Sequence, residues 1–197
     1  MVTVEADQVL VESRLTGGGV SRPVCPGVLA PWGWGRRRDV RGVGTLRPRR
    51  GRCSSCLVTQ VLLPVTVLLR RADAAAAIWA ALVARAAGHG HRMIAALVGS
   101  PACTVRGWLR RMSSRLEAVR VHFTVVGRRA AVDQAALDAT GSPWKDVVAA
   151  VGAAWVALRS RFGLAGLVGT VTAGQVAVAS SGGRLLSPGW PSPAGRC

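Results

Sequence analysis

Two helical runs separated by Gly99-Ser100-Pro101 constrain this chain more than any other feature. Ile94, the small Ala95 and Leu97 precede the break, while Val105, Trp108, Leu109 and Met112 follow it at i, i+3, i+4 and i+7. That spacing gives the second run one apolar stripe. The stripe is expected to bury against Ile94, Leu97 and an earlier helix carrying Ile78 and Leu82. Gly99 suits the left-handed conformation that ends a helix, Ser100 suits a cap, and Pro101 suits a first helical position. Two short helices joined this tightly predict a helix-turn-helix over Arg92 to Arg111.

The face opposite the stripe carries Cys103, Arg106, Gly107 and Arg110, again at helical spacing. A helix in the major groove of DNA presents such a row to the base edges. Arg106 is the expected base reader, because a guanidinium can bridge guanine O6 and N7. Arg92, Arg110 and Arg111 are expected on phosphates. Thr104 either contacts a phosphate or helps start the helix, and Gly107 lets the DNA backbone come close at some cost in helix propensity. The bland alternative is a helical hairpin with a solvated arginine face.

Charge supports the sharper reading. The formal net charge is +17, and Lys145 is the only lysine. Residues 1–21 hold one arginine and three acids, residues 22–120 hold 18 arginines and three acids, and residues 121–197 hold seven basic residues and three acids. A GC-rich coding sequence would also enrich arginine, but it does not explain this uneven distribution. A basic block of this kind favours a polyanionic partner. Arg36, Arg37, Arg38, Arg49, Arg50 and Arg52 are expected as further phosphate contacts. Trp32 and Trp34 stand beside them and are expected in the core; stacking on unpaired bases is the alternative.

Cys53-x-x-Cys56 has the spacing of half a zinc ribbon. Upstream, Arg22-Pro23-Val24-Cys25-Pro26-Gly27 reads as the other knuckle with its first cysteine replaced by Arg22. Cys25, Cys53 and Cys56 remain as metal ligands. Either His89, His91, His122 or water completes a four-coordinate zinc site, or the ribbon is degenerate and holds no metal. Cys103 and Cys197 lack a partner pattern and are expected as free thiols.

The remaining patterning completes a chain that is mainly α, with a small β zinc-ribbon-like module followed by the helix-turn-helix and further helices. The expected parts are an N-terminal helix or arm over 1–21, the ribbon-like basic module over 22–69, and the helix-turn-helix domain over 70–120. A C-terminal helical region over 121–179 and a flexible tail over 180–197 follow. Short strands are expected around Val40, Val43, Thr45 and Leu46, and another within Leu57 to Leu69. Helices are expected at Val4 to Leu15, Ala74 to Ala87, His91 to Val98, Pro101 to Arg115, Ala130 to Ala139, and from Ser142-Pro143 onward. Val119 to Val126 fits either helix or strand. The start lacks a basic region followed by an apolar one, so no signal peptide is expected. The uncharged run Phe162 to Gly183 holds six glycines, too many for a membrane span.

The stretches Val28-Leu29-Ala30-Pro31-Trp32-Gly33, Arg47 to Cys53-x-x-Cys56, Val61-Leu62-Leu63-Pro64 and Thr104 to Arg111 resemble an uncharacterised actinobacterial family. The tail Gly182-Gly183-Arg184-Leu185-Leu186 is similar as well. Members pair an N-terminal zinc-ribbon-like module with a homeodomain-like helix-turn-helix, as transposon-encoded proteins do. The resemblance implies DNA binding and a link to mobile elements. This sequence departs from the family's metal knuckle at Arg22.

The expectation is therefore a cytoplasmic, nucleoid-associated protein that binds double-stranded DNA, with a homodimer if its site is palindromic. No small-molecule substrate and no membrane partner are expected. Its role would be that of a regulator or a mobile-element accessory factor. Alternatives are a transposase or recombinase subunit with catalysis supplied elsewhere, or an RNA-binding protein. No catalytic residues are expected. Two-metal strand transfer needs clustered carboxylates, and Asp133, Asp138 and Asp146 read as ordinary polar helix positions.

Overall fold

The computed structural model describes residues 1–22, 24–131, 133, 137–163 and 171–191. The chain divides into two compact units, Met1–Ala75 and Ala76–Cys197.

The first unit is built on a mixed five-stranded sheet. Its strands are β1 (Val2–Val4), β2 (Ser21–Arg22), β3 (Cys25–Trp34), β6 (Arg49–Cys53) and β7 (Thr59–Pro64), in the order β1-β7-β6-β3-β2. β1 runs parallel to β7, and the other pairs are antiparallel. A separate hairpin joins β4 (Arg38–Val40) to β5 (Gly44–Leu46). One helix, α1 (Gln8–Thr16), starts at Asp7, whose carboxylate accepts from the Val9 and Leu10 N–H groups. Val4, Val11, Leu15, Val20, Leu29, Cys53 and Leu62 form the core between α1 and the sheet.

This sheet corrects the expected fold class. The chain is α/β, not mainly α with a small β module. Two causes hid the sheet. β1 is three residues long, too short to show alternation, and only its parallel pairing with Leu62, Leu63 and Pro64 makes it a strand. β3 contains Pro26 and Pro31, which ordinarily argue against a central strand. The register shifts between Pro31 and Gly33, and this irregularity accommodates the proline inside the ladder.

The second unit is helical. α2 (Ala75–Ala86) leads into α3 (His91–Val98), α4 (Ala102–Ser113), α5 (Leu116–Ala130), α6 (Pro143–Phe162) and α7 (Ala173–Ser180). α5 settles the ambiguous stretch as helix, burying Leu116, Val119, Phe123 and Gly127. α6 buries Val147, Ala150, Val151, Ala154 and Ala157, while Trp144, Val148, Trp155 and Leu158 are half-buried. Of the helix expected over Ala130 to Ala139, only Ala130 is helical among the described residues, as the last residue of α5. Residues 137–140 have no regular structure, while 132 and 134–136 lie outside the described residues. Just beyond the expected helix, the Asp146 Oδ1 accepts from the Thr140 N–H and hydroxyl at 2.9 and 2.7 Å.

Where a flexible tail from 180 was expected, residues 181–191 fold back and bury Leu185, Leu186 and Trp190. The tie is Arg115. Its guanidinium donates to the Ser187, Trp190 and Leu185 carbonyls, and also to Arg111 in the last turn of α4.

Candidate metal centre and helix-turn-helix face

Cys25 opens β3, Cys53 closes β6, and the β3–β6 ladder sets Cys53 opposite Leu29. Directly after β6 the chain turns sharply. The Leu57 N–H donates to the Cys53 carbonyl and the Cys53 N–H to the Val58 carbonyl, both at 3.1 Å. This turn brings Cys56 back beside the other two cysteines. The three Sγ atoms lie within 4.8 Å of one another, and Cys25 and Cys53 are 3.7 Å apart. Cys53 is buried in the core, Cys25 is half-buried and Cys56 is exposed. Gly27 is required here, since a Cβ on it would sit 2.6 Å from both Cys53 Sγ and Ser55 Oγ.

Three thiols at this spacing can hold a metal ion. All three histidines (His89, His91 and His122) belong to the other unit. Arg22 stands where the missing cysteine was expected, and its Nη1 donates to Cys56 Sγ across 2.7 Å. The electrostatics differ across the cluster. The Val58 N–H, helped by the neighbouring thiols and Arg22, overcomes desolvation and lowers the Cys56 thiol to about 7. At Cys25 the Gly27 N–H favours the thiolate, but desolvation and the two adjacent thiols together raise the pKa.

The arginines expected on phosphate divide into two groups. Arg36 and Arg37 are exposed in the link between β3 and β4. Arg38 is half-buried, and desolvation holds its pKa below the ordinary arginine value. Arg50 is half-buried too. Arg49 is engaged inside the unit. Its Nε and Nη2 grip the two oxygens of Glu12 at 2.7 Å, and its Nη1 donates to the Gly33 carbonyl at 2.6 Å. Arg52 donates to the Leu57 carbonyl and stacks on Trp32, 4.4 Å from the ring centroid. Trp32 and Trp34, expected in the core, are 52% and 39% exposed. Arg49 covers Trp34 as Arg52 covers Trp32, so cation–π stacking replaces burial.

In the second unit α3 ends at Gly99, which adopts φ 64° and donates its N–H to the Ala95 carbonyl. Pro101 takes the cap position one residue before α4, and its carbonyl accepts from Thr104 and Val105. Val105, Trp108, Leu109 and Met112 are buried, as are Ile78, Leu82 and Ile94. Leu97 departs from expectation at 62% exposed, because the α3 face it shares with Met93 points to solvent.

On the other side of α4, Cys103, Arg106 and Arg110 are exposed, and Thr104, Gly107 and Arg111 are half-buried. Arg92 is exposed on α3. The Arg111 guanidinium lies close over Gly107, where a Cβ would meet its Nη1 at 2.9 Å. Among the described residues, neither Arg106 nor Arg110 makes an ion pair.

Sequence reasoning missed Arg115, the tether of residues 181–191. Nothing in its spacing marks it, since its partners lie 70 to 75 residues further along the chain. No protein family matches this chain, and no curated protein or solved structure matches it. Among the described residues no helix is long and apolar enough to cross a membrane.

Proposed function

We propose that the chain binds double-stranded DNA through α3, its turn and α4, as a regulator or an accessory factor of a mobile element. The observation that carries this reading is the division of α4 into two faces. Val105, Trp108, Leu109 and Met112 are spent on the core, while Arg106 and Arg110 stand exposed on the other side with no acidic partner among the described residues. Exposed guanidiniums one helical turn apart suit one base edge and one neighbouring phosphate. Zinc is the ion proposed for Cys25, Cys53 and Cys56, since thiolates are its usual ligands in structural sites.

The test is selection of bound sequences from a randomised duplex pool, followed by gel-shift titration against duplex DNA and single-stranded RNA. Duplex DNA binds more tightly, and Arg106→Ala loses about 1–3 kcal/mol at one base position while relaxing preference there. Arg110→Ala weakens all sequences alike and reduces the salt slope by about one. Equal or tighter RNA binding, or unchanged sequence preference in Arg106→Ala, rejects the assignment.

A further inference from the structure

We propose that Arg22 completes the three-cysteine cluster as an outer-sphere cation, making it a site for one divalent thiophilic metal ion with an exchangeable fourth ligand. The inference rests on the metal reading of Cys25, Cys53 and Cys56 and does not depend on DNA binding.

Geometry supplies the first support. The three sulfurs already lie within 4.8 Å of one another, in a cradle that excludes even a Cβ at Gly27. Cys53 ends the β3–β6 ladder opposite Leu29, Cys25 pairs with Arg22 across β2 and β3, and the Cys25 and Cys53 sulfurs stand 3.7 Å apart. The third, Cys56, is held by the turn that follows Cys53 and by Arg22 Nη1 at 2.7 Å.

Charge supplies the second support. An arginine keeps its proton and cannot ligate a metal, but it can donate to a sulfur that does. A divalent ion on three thiolates leaves one negative charge, which a guanidinium beside Cys56 cancels. Four thiolates would leave two. The arginine therefore neutralises a site that a fourth thiolate would charge further, and it leaves the fourth coordination position open. Thiolate donors exclude magnesium and calcium as residents and favour zinc and its heavier, softer congeners.

Coordination supplies the third. Zinc prefers four ligands, and three protein ligands leave a position for water or another small donor, the pattern of open rather than closed zinc sites. Partners that hydrogen-bond to a metal's ligands typically change affinity 10- to 100-fold. Arg22 occupies that role at Cys56.

The test is an anaerobic titration of the reduced full chain with cobalt(II), followed by displacement with zinc(II). The wild type takes one cobalt with thiolate-to-cobalt absorption corresponding to three sulfurs. Arg22→Cys restores a fourth thiolate and raises that absorption by about one third, as a closed four-cysteine site requires. Arg22→Ala weakens zinc binding about tenfold or more, and Arg22→Lys recovers part of the loss because the charge remains. Unchanged affinity in Arg22→Ala, or unchanged absorption in Arg22→Cys, overturns the role of Arg22 and leaves the three-cysteine site standing. Absence of stoichiometric cobalt binding in the wild type overturns both. None of these readouts involves DNA, so the DNA-binding proposal stands or falls separately.

Discussion

The cysteine cluster of the first unit and the α4 face of the second are both rich in arginine, yet they use it in opposite ways. Around the cluster arginines are engaged at home: Arg22 on Cys56, Arg49 on Glu12, and Arg52 on Trp32 and the Leu57 carbonyl. On α4 the exposed arginines have no acidic partner among the described residues. A count of positive charge treats the two regions alike. Partners on the protein separate an arginine that builds the fold from one available to a ligand. The first kind should affect stability when removed, and the second should affect binding.

The largest test of this contrast concerns the apolar face beneath the free arginines. Trp108→Ala should cost about 3–5 kcal/mol in unfolding experiments, because the ring is almost fully buried. A loss below about 1 kcal/mol would mean that α4 does not depend on that face.

The next test sets Arg49 against Arg106. Arg49→Ala removes a two-pronged ion pair and the cover over Trp34. Its side chain is only 12% exposed, but Glu12 is 42% exposed, so water screens part of the interaction. The expected loss is about 1–2 kcal/mol. Arg106→Ala should change stability by less than about 0.5 kcal/mol while altering DNA preference. Equal stability losses in the two variants would break the comparison.

The smallest expected effect is a pH dependence in the second unit. His122 sits among Phe123, Trp190 and the Ser180 carbonyl. Desolvation lowers its pKa from 6.5, partly opposed by the Ser180 carbonyl and assisted by Arg129. As pH falls, the unfolded chain takes up the proton before the folded one does. Stability therefore declines as pH drops through about 6.5 and levels off below the folded pKa. His122→Gln keeps a donor and does not titrate. Unfolding midpoints of the two proteins should diverge between pH 7.5 and 5.5, with the wild type losing more; parallel curves would remove His122 as the cause.

Helices were the most legible part of the chain. Periodicity alone delivered α3 at His91–Val98, the buried stripe of α4 and the long α6. The cysteine pattern was legible as well, because Arg22 stands three residues before Cys25 at the spacing that separates Cys53 from Cys56. The sheet was much less legible. β1 is defined by a partner some 60 residues away, and β3 tolerates Pro31 beside a register shift that local propensity cannot anticipate. Leu97 fitted the helical pattern as well as Ile94 did, yet only the packing of α3 separates the exposed one from the buried one. Residues 181–191 read as loose for the same reason, since Arg115 is their distant tether.

The sequence by itself determined the helix-turn-helix spacing with its arginine row, the three cysteines, and the arginine in place of a fourth. These are local patterns, set by the periodicity of a helix and the short span of a knuckle. Tertiary structure alone decided that the chain is α/β, which arginines have partners, and that Arg22 meets Cys56. Such outcomes depend on contacts between residues far apart in the chain, and composition and periodicity carry no information about which distant group a side chain will meet.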